Sequence, residues 1–407
     1  MFRPLSHIRV LDMSRILAGP WAAQTLADLG AEVIKIERPG PGDDTRSWGP
    51  PFVANNTGSS KESAYFMSAN RGKKSVALDI SKPQGQKILK SLVSKADILI
   101  ENYKVGGLSR YGLGYEDLKK VNPGLIYCSI TGFGQSGPLS NRAGYDFLVQ
   151  AMGGLMSVTG EADGKAGAGP QKIGVALTDI LTGLYTGIAA LSALSNREKS
   201  SEGCHIDMAL LDVTAACMAN QAMNFLVTGK SPVRMGNAHP NIVPYEAFAT
   251  ADQYVIIAVG NDAQFKRFAS VVDMTELSED PKFKTNSARV ENRDELIPLI
   301  QKSLKKRTAE EWINAFEEVG VPCGPINNME QVFVNEQMQH RGVKIDMEHK
   351  TLGKIPQVAS PIKFAGKNLA YERAPPALGQ DTKEVLFEIA DISDAEMADL
   401  FDKKIIA

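Results

Sequence analysis

Short aliphatic runs alternate with helix-period segments through the first third of the chain. Ile8 to Met13 predicts a strand, Trp21 to Leu29 a helix and Glu32 to Glu37 a second strand, a unit whose two strands would pair in parallel. Ser75 to Ile80 continues as a strand. Pro83, at the first helical position, starts an amphipathic stretch to Lys95, and further strands are predicted at Asp97 to Glu101 and Leu125 to Ile130. This alternation implies a doubly wound α/β sheet with helices on both faces, where ligands sit beyond the carboxyl ends of the strands. Leu177 to Arg197 and Leu210 to Val227, rich in Ala, Leu, Ile and Gly, predict closely packed helices. Pro232 to Pro244 reads as a crossover linker. Tyr245 to Val259 has hairpin character around Ala251 and Asp252, helical patterns run from Gln264 to Glu318, and Pro322 to Pro325 closes what would be a smaller α/β domain. The expected organisation is a large domain over residues 1–230, a small domain with its linker over 231–325, and a return to the large domain over 326–407, ending in a helix from Thr382.

Composition narrows the functional classes. The 407 residues exceed one ordinary domain, and 43% hydrophobic with 23% charged residues is the balance of a folded globular protein. A net charge of −2 supplies no global field for nucleic acid or an anionic membrane, so a polyanionic ligand would need a local basic patch. No apolar run approaches the ~18 residues that span a bilayer, and the strand pattern near the start leaves no room for a targeting segment. A cytoplasmic location without membrane or nucleic-acid partners is therefore expected. Cys128, Cys204, Cys217 and Cys323 are far apart, with no CxxC pattern, and are expected to be buried thiols rather than disulfides or zinc ligands.

Four features are candidates for chemistry. Gly132 to Gly137 follows a predicted strand and spells GxGxxG, but Pro138, Asn141 and Gly144 crowd the positions where a helix should open. No acidic residue closes a following strand at the spacing a dinucleotide site needs, so a flexible loop near the site is expected instead. Arg38, then Arg71, Lys73 and Lys74, then Lys104 and Arg110 recur at predicted strand ends, an arrangement suited to phosphate groups. Asp179 stands among small and apolar neighbours at a predicted helix start. It reads either as a helix cap or as a carboxylate nucleophile at the positive end of the helix dipole. His205 and Asp207 share one strand face without a third ligand, and no metal site is assigned.

Several motifs together resemble the class III CoA-transferase family over essentially the whole chain: Leu17-Ala-Gly-Pro20, the run Leu29 to Asp43, Glu101-Asn-Tyr103, Ser129 to Gly134, Ala143-Gly-Tyr-Asp146, Thr178-Asp179 and Gly379-Gln-Asp-Thr382. Asp43 to Phe52, Gly236 to His239 and Ile242 to Tyr245 are most similar to its glutarate branch. The resemblance implies a Rossmann-like large domain built from both chain ends, a small domain and two interlocked subunits. It places CoA contacts on Leu17, Ala18, Arg38, Leu78, Asp79, Asn102, Tyr103, Lys104, Arg110, Tyr145 and Asp146, and the covalent nucleophile on Asp179. It further implies coenzyme A as substrate, no prosthetic group, and transfer from an acyl-CoA such as succinyl-CoA to a small carboxylic acid, a dicarboxylate such as glutarate. Racemases related to the family carry a histidine where this chain has Tyr145, which disfavours an alpha-methylacyl-CoA racemase. Ala238 to Asn241 replaces the tetraglycine lid of the formyl-CoA branch. A dicarboxylate needs a cation for its distal carboxylate, and Arg15, Arg46 and His239 are the candidates. Backbone N–H groups near Asp179 are expected to stabilise oxyanions.

Overall fold

In the computed structural model, which describes residues 2–55, 57–58 and 61–407, six parallel strands form the central sheet. They are β1 (Arg9–Asp12), β2 (Glu32–Glu37), β3 (Lys73–Ala77), β4 (Ile98–Glu101), β5 (Ile126–Thr131) and β6 (Cys204–Ala209), in the order β3-β2-β1-β4-β5-β6. The order reverses between β1 and β4, so loops leaving their carboxyl ends diverge and open a crevice. Val10, Leu11, Ile34, Ile98, Leu99, Ile100 and Ile126 are buried, as near-continuous aliphatic runs in a sheet covered on both faces require. Helix α1 (Ala18–Asp28) and α2 (Pro83–Ser94) pack on opposite faces, each within its own apolar cluster. Short helices α3 (Tyr115–Val121) and α4 (Asp146–Met152) follow, and the long α5 (Leu177–Ser200) crosses from β5 to β6 and packs beside α1.

The C-terminal segment closes the β3 edge. Asp381 Oδ2 accepts the Ser75 N–H at 2.9 Å, Thr382 Oγ1 accepts that of Ala77 at 3.1 Å, and the Asp79 N–H donates to the Ile405 carbonyl at 2.8 Å. An edge that would otherwise present unpaired backbone is thereby covered. The Gly379 to Thr382 motif is thus a structural clasp.

Two compact units divide the chain. One runs to Leu155 and adds Ile173–Met223 and Gln337–Ala407; the other comprises Met156–Lys172 and Asn224–Glu336. The second is centred on a three-stranded antiparallel sheet of β7 (Tyr245–Ala249), β8 (Tyr254–Ala258) and β9 (Cys323–Pro325), over a core that includes Phe248, Phe265, Phe268, Trp312 and Phe316. Residues 156–172 belong with this unit because Arg234 pairs with Asp163 and donates to the Glu161 carbonyl, contacts that linear patterning cannot reveal.

Some expectations are corrected. The helix expected over Leu210 to Val227 is two helices, α6 (Leu210–Cys217) and Ala219–Thr228, separated where Ala219 takes a positive φ of 44°. A hairpin, Lys344–His349 with Gly353–Val358, lies in the stretch read only as short elements. Of the cysteines only Cys128 is buried; Cys204 and Cys323 are half-buried and Cys217 is exposed. By length and composition α5 is apolar enough to cross a membrane, with a mean hydropathy of 1.4, because its Gly, Thr and Ser residues interrupt the apolar run without adding charge.

Candidate active site

The turn after β1 is held in place by polar contacts from three directions. Asp12 Oδ1 accepts the Ser14 N–H at 3.0 Å and its hydroxyl hydrogen; Asn102, just past β4, accepts the Arg15 N–H at 2.9 Å and donates to the Arg15 carbonyl at 2.7 Å; Asp43 Oδ1 accepts the Ile16 N–H at 3.3 Å. Ile16 has a φ of 72°, a left-handed conformation that a β-branched residue adopts only when its surroundings impose it. Beneath this turn lies a buried ionic cluster. Lys35 Nζ donates to the Ser14 carbonyl at 2.9 Å and pairs with Asp43 at 2.9 Å, while Lys73 Nζ pairs with Asp12 at 2.8 Å and donates to the Pro20 carbonyl at 3.0 Å. Burial opposes ionisation of Asp43, but the Lys35 charge and the Thr45 donors outweigh it and hold the carboxyl at about 2. Burial lowers Lys73 to about 8 despite Asp12.

Asp179 arrives on α5. Close packing against α1 depends on Gly183, where a Cβ would lie 2.6 Å from the Ala18 carbonyl oxygen. A second close approach joins Gly132 to Gly144: a Cβ on either would come within 2.4 Å of the other's Cα. The loop after β5 therefore crosses the Ala143 to Asp146 motif backbone to backbone, and the first glycine of the GxGxxG match serves this crossing. That loop is tied down rather than loose, since Thr131 Oγ1 accepts the Gly134 N–H at 2.9 Å and Asp207 that of Gln135 at 2.9 Å.

Asp146 Oδ1 accepts the N–H groups of Thr178 at 2.9 Å and Asp179 at 3.4 Å, and its Oδ2 accepts from Gln150 at 2.7 Å. Asp146 thus supplies the anionic cap of α5, and the cap alternative for Asp179 falls away. These contacts also correct the expected oxyanion donors: the Thr178 and Asp179 amides serve Asp146, and the Ile180 amide serves the Ala176 carbonyl. The Asp179 carboxylate is half-buried and has no hydrogen-bond or ion-pair partner among the described residues. Its ionisation is pushed up to about 7, first by burial and second by the Asp146 charge.

Asp179 lines a cavity of about 470 Å³ at the switch-point crevice, together with Arg15, Leu17, Ala18, Asp44, Trp48, Asn102, Tyr103, Lys104, Arg142, Tyr145 and Asp146. Seven of the eleven residues expected to contact CoA meet there. Arg38 lines an adjoining cavity with Arg15, Asp44 and Tyr103, and it also borders, with Asp79, a depression formed with Lys404 and Phe401. Arg110 lies over the Tyr111 ring, 4.5 Å from its centroid. Leu78 is a core side chain, and its N–H donates to the Glu37 carbonyl, so its side chain is not available to a ligand. Arg46 is corrected as a substrate cation: it is bound by Glu37 at 2.7 Å and Glu62 at 3.1 Å, and its side chain is only 8% exposed. Three of the strand-end cations are likewise structural, Arg71 pairing with Asp28, Lys73 with Asp12, and Lys74 with Glu32 and Glu384. His239 lies in the second unit, where its Nδ1 accepts the Asn241 N–H at 3.0 Å.

Tyr65 escaped the sequence reading. Burial first, and then the charges of Asp179, Asp146 and Asp43, push its phenol up to about 12. Its ring packs edge-on against Trp48 at 5.1 Å. Nothing in Lys61 to Met67 marked it. Among the described residues no group of three or more His, Cys, Asp or Glu side chains is placed to hold a metal ion.

A parallel sheet whose switch-point crevice holds an unpaired carboxylate at a helix start has the layout of an α/β enzyme with its ligand site beyond the carboxyl ends of the strands. The family model for CoA-transferase family III matches residues 5–382. Among curated relatives, the chain is 49% identical over 389 residues to a succinate–glutarate CoA-transferase of Agrobacterium fabrum, covering 96% of each chain. It is 44% identical over 404 residues to the Homo sapiens succinyl-CoA:glutarate CoA-transferase, covering 99% of this chain and 90% of that one. A solved CaiB/BaiF family protein from Brucella suis superimposes with a TM-score of 0.83 at 48% identity, over 96% of this chain and 100% of the other. The chain belongs to CoA-transferase family III and is an acyl-CoA:carboxylate CoA-transferase.

Proposed function

We propose that this enzyme moves CoA from succinyl-CoA to a dicarboxylate such as glutarate, with Asp179 as the covalent nucleophile and CoA held by the loops after β1 and β4. The observation carrying this reading is the unpartnered Asp179 carboxylate in the switch-point cavity, and the glutarate-acting relatives support the choice of acids. Asp179 attacks the donor thioester carbonyl, forming an aspartyl–acyl anhydride and releasing CoA thiolate. The thiolate attacks the aspartyl carbonyl, giving an aspartyl-CoA thioester and expelling the donor acid as its carboxylate. The acceptor carboxylate attacks that thioester, again producing an anhydride and the thiolate. Attack of the thiolate on the acceptor carbonyl then forms the new acyl-CoA and restores Asp179. Each step exchanges one anion for another, so no net proton moves, and a chain of small barriers replaces one large one. Tyr65, whose ring packs against the cavity-lining Trp48, is proposed as a donor to developing oxyanions. Arg15, in the same cavity, is the cation proposed for the distal carboxylate.

Intact-mass analysis after mixing with succinyl-CoA, with hydroxylamine trapping at the aspartyl position, tests the reading. We expect an Asp179 adduct, and a loss of at least about 10³-fold in kcat for Asp179→Ala. Normal turnover by that variant, without an adduct on the parent enzyme, overturns it.

A further inference from the structure

Arg15 is held in an unusual way. Its backbone N–H and carbonyl are both taken by Asn102, the next residue is fixed in a left-handed conformation and tied to Asp43, and its guanidinium lies over the Tyr103 ring, 5.7 Å from the centroid. The backbone carrying this side chain is therefore rigid. Among the described residues its one ion-pair partner is a carboxylate of the same cavity: Arg15 Nη1 and Asp44 Oδ2 are 2.7 Å apart, with side chains 47% and 43% exposed. The contrast with Arg46, two residues further on from Asp44, is instructive. Arg46 is gripped by two nearly buried carboxylates and a carbonyl, whereas Arg15 is gripped by one solvated carboxylate that can rotate away.

Resting on the reading of Arg15 as the distal-carboxylate site, we infer that Asp44 is a specificity-determining residue: an intramolecular stand-in for the second carboxylate of the substrate. It neutralises Arg15 while the acyl end of the cavity is empty and is displaced by a dicarboxylate. Exchange of one carboxylate for another leaves the charge on Arg15 balanced, and the released Asp44 remains in water. A monocarboxylate cannot make this exchange. It leaves the Arg15–Asp44 pair intact, with that pair forming the end wall of the cavity. Asp44 thus competes with every diacid, and with the succinyl end of succinyl-CoA, but not with a monoacid.

The experiment is a KM panel on the intact enzyme with glutarate and succinate against butyrate and valerate as acceptors, for parent, Asp44→Asn, Asp44→Ser and Arg15→Gln. Expected for both Asp44 variants is a fall of about three- to fivefold in diacid KM, the upper range for one exposed ion pair, with monoacid KM within about twofold of the parent. Expected for Arg15→Gln is a ratio of diacid to monoacid KM raised by at least about tenfold over the parent, a ratio in which any effect on the donor half-reaction cancels. If both Asp44 variants leave diacid KM unchanged or raise it while Arg15→Gln behaves as expected, Asp44 only orients Arg15 and the stand-in role is overturned. If Arg15→Gln leaves diacid and monoacid KM alike, the distal-carboxylate reading itself falls, and the inference with it.

Discussion

Asp179 sits against the ordinary direction for a carboxylate, and that has a thermodynamic sign. A folded-state value near 7, above the unfolded 3.8, means that the neutral form favours folding. This contribution is fully present below pH 3.8 and is lost as pH rises through about 7. At the pH where this proposed nucleophile is ionised, it therefore works against the fold, as active-site groups commonly do. Asp179→Asn, neutral at every pH, should abolish transfer yet raise Tm relative to the parent by a few degrees at pH 8, with the gap closing by pH 4; thermal scans across that range check it. An equal shift at both ends of the range would show that the carboxylate is not desolvated as described. The residue type was visible in the sequence, but its two readings, cap or nucleophile, were not separable there. Asp179 is already the third residue of α5, while Asp146, 33 residues earlier, accepts the Thr178 and Asp179 amides at the helix start, and no linear pattern couples the two positions.

Among the elements, the β1 turn has the sharpest division between what patterning reveals and what it hides. β1, β2, β4 and β5 were legible because buried parallel strands are written in consecutive aliphatic residues. Lys35 and Lys73 were not, since a lysine inside a strand looks like a solvated edge charge until its partners are known. Both are wholly buried, and Lys35 joins β2 to the turn carrying Arg15 and to Asp43. Replacing it with methionine leaves Asp12 and Asp43 without their shared cation, at a cost of about 3–5 kcal/mol. Urea unfolding of Lys35→Met should show this loss, and any surviving activity should carry a raised KM because the turn has lost its anchor. A cost below about 1 kcal/mol would mean that the cluster is not the support of the turn. The same logic reassigns Arg46, Arg71 and Lys74, whose charge alone suggested ligand contact, to carboxylates folded beside them.

For the whole molecule, the proposal of a homodimer rests on apolar surface that the single chain leaves uncovered. Leu184, Tyr185 and Ile188 are exposed on α5, and Met223, Phe225, Leu226 and Val227 on the helix Ala219–Thr228. Surface of this kind marks an association site when it is contiguous. Light scattering behind a sizing column should give twice the chain mass, and a single-chain mass at micromolar protein would remove the proposal. The exposed Leu184, Tyr185 and Ile188 also show how α5 can look like a membrane span by composition while being a crossover helix between two strands of one sheet.

By itself the sequence determined the alternation of strands and helices and a carboxylate at the start of a long apolar helix, because both are written within a window of adjacent residues. Only the tertiary structure decided which charges are anchors and which remain free, where residues 156–172 belong, and that Asp146 caps the helix while Asp179 stays unpaired. Those outcomes depend on electrostatic and hydrogen-bond partners tens to hundreds of residues apart, and the free energy of a buried charge is set by what lies within a few ångströms of it, not by its neighbours along the chain.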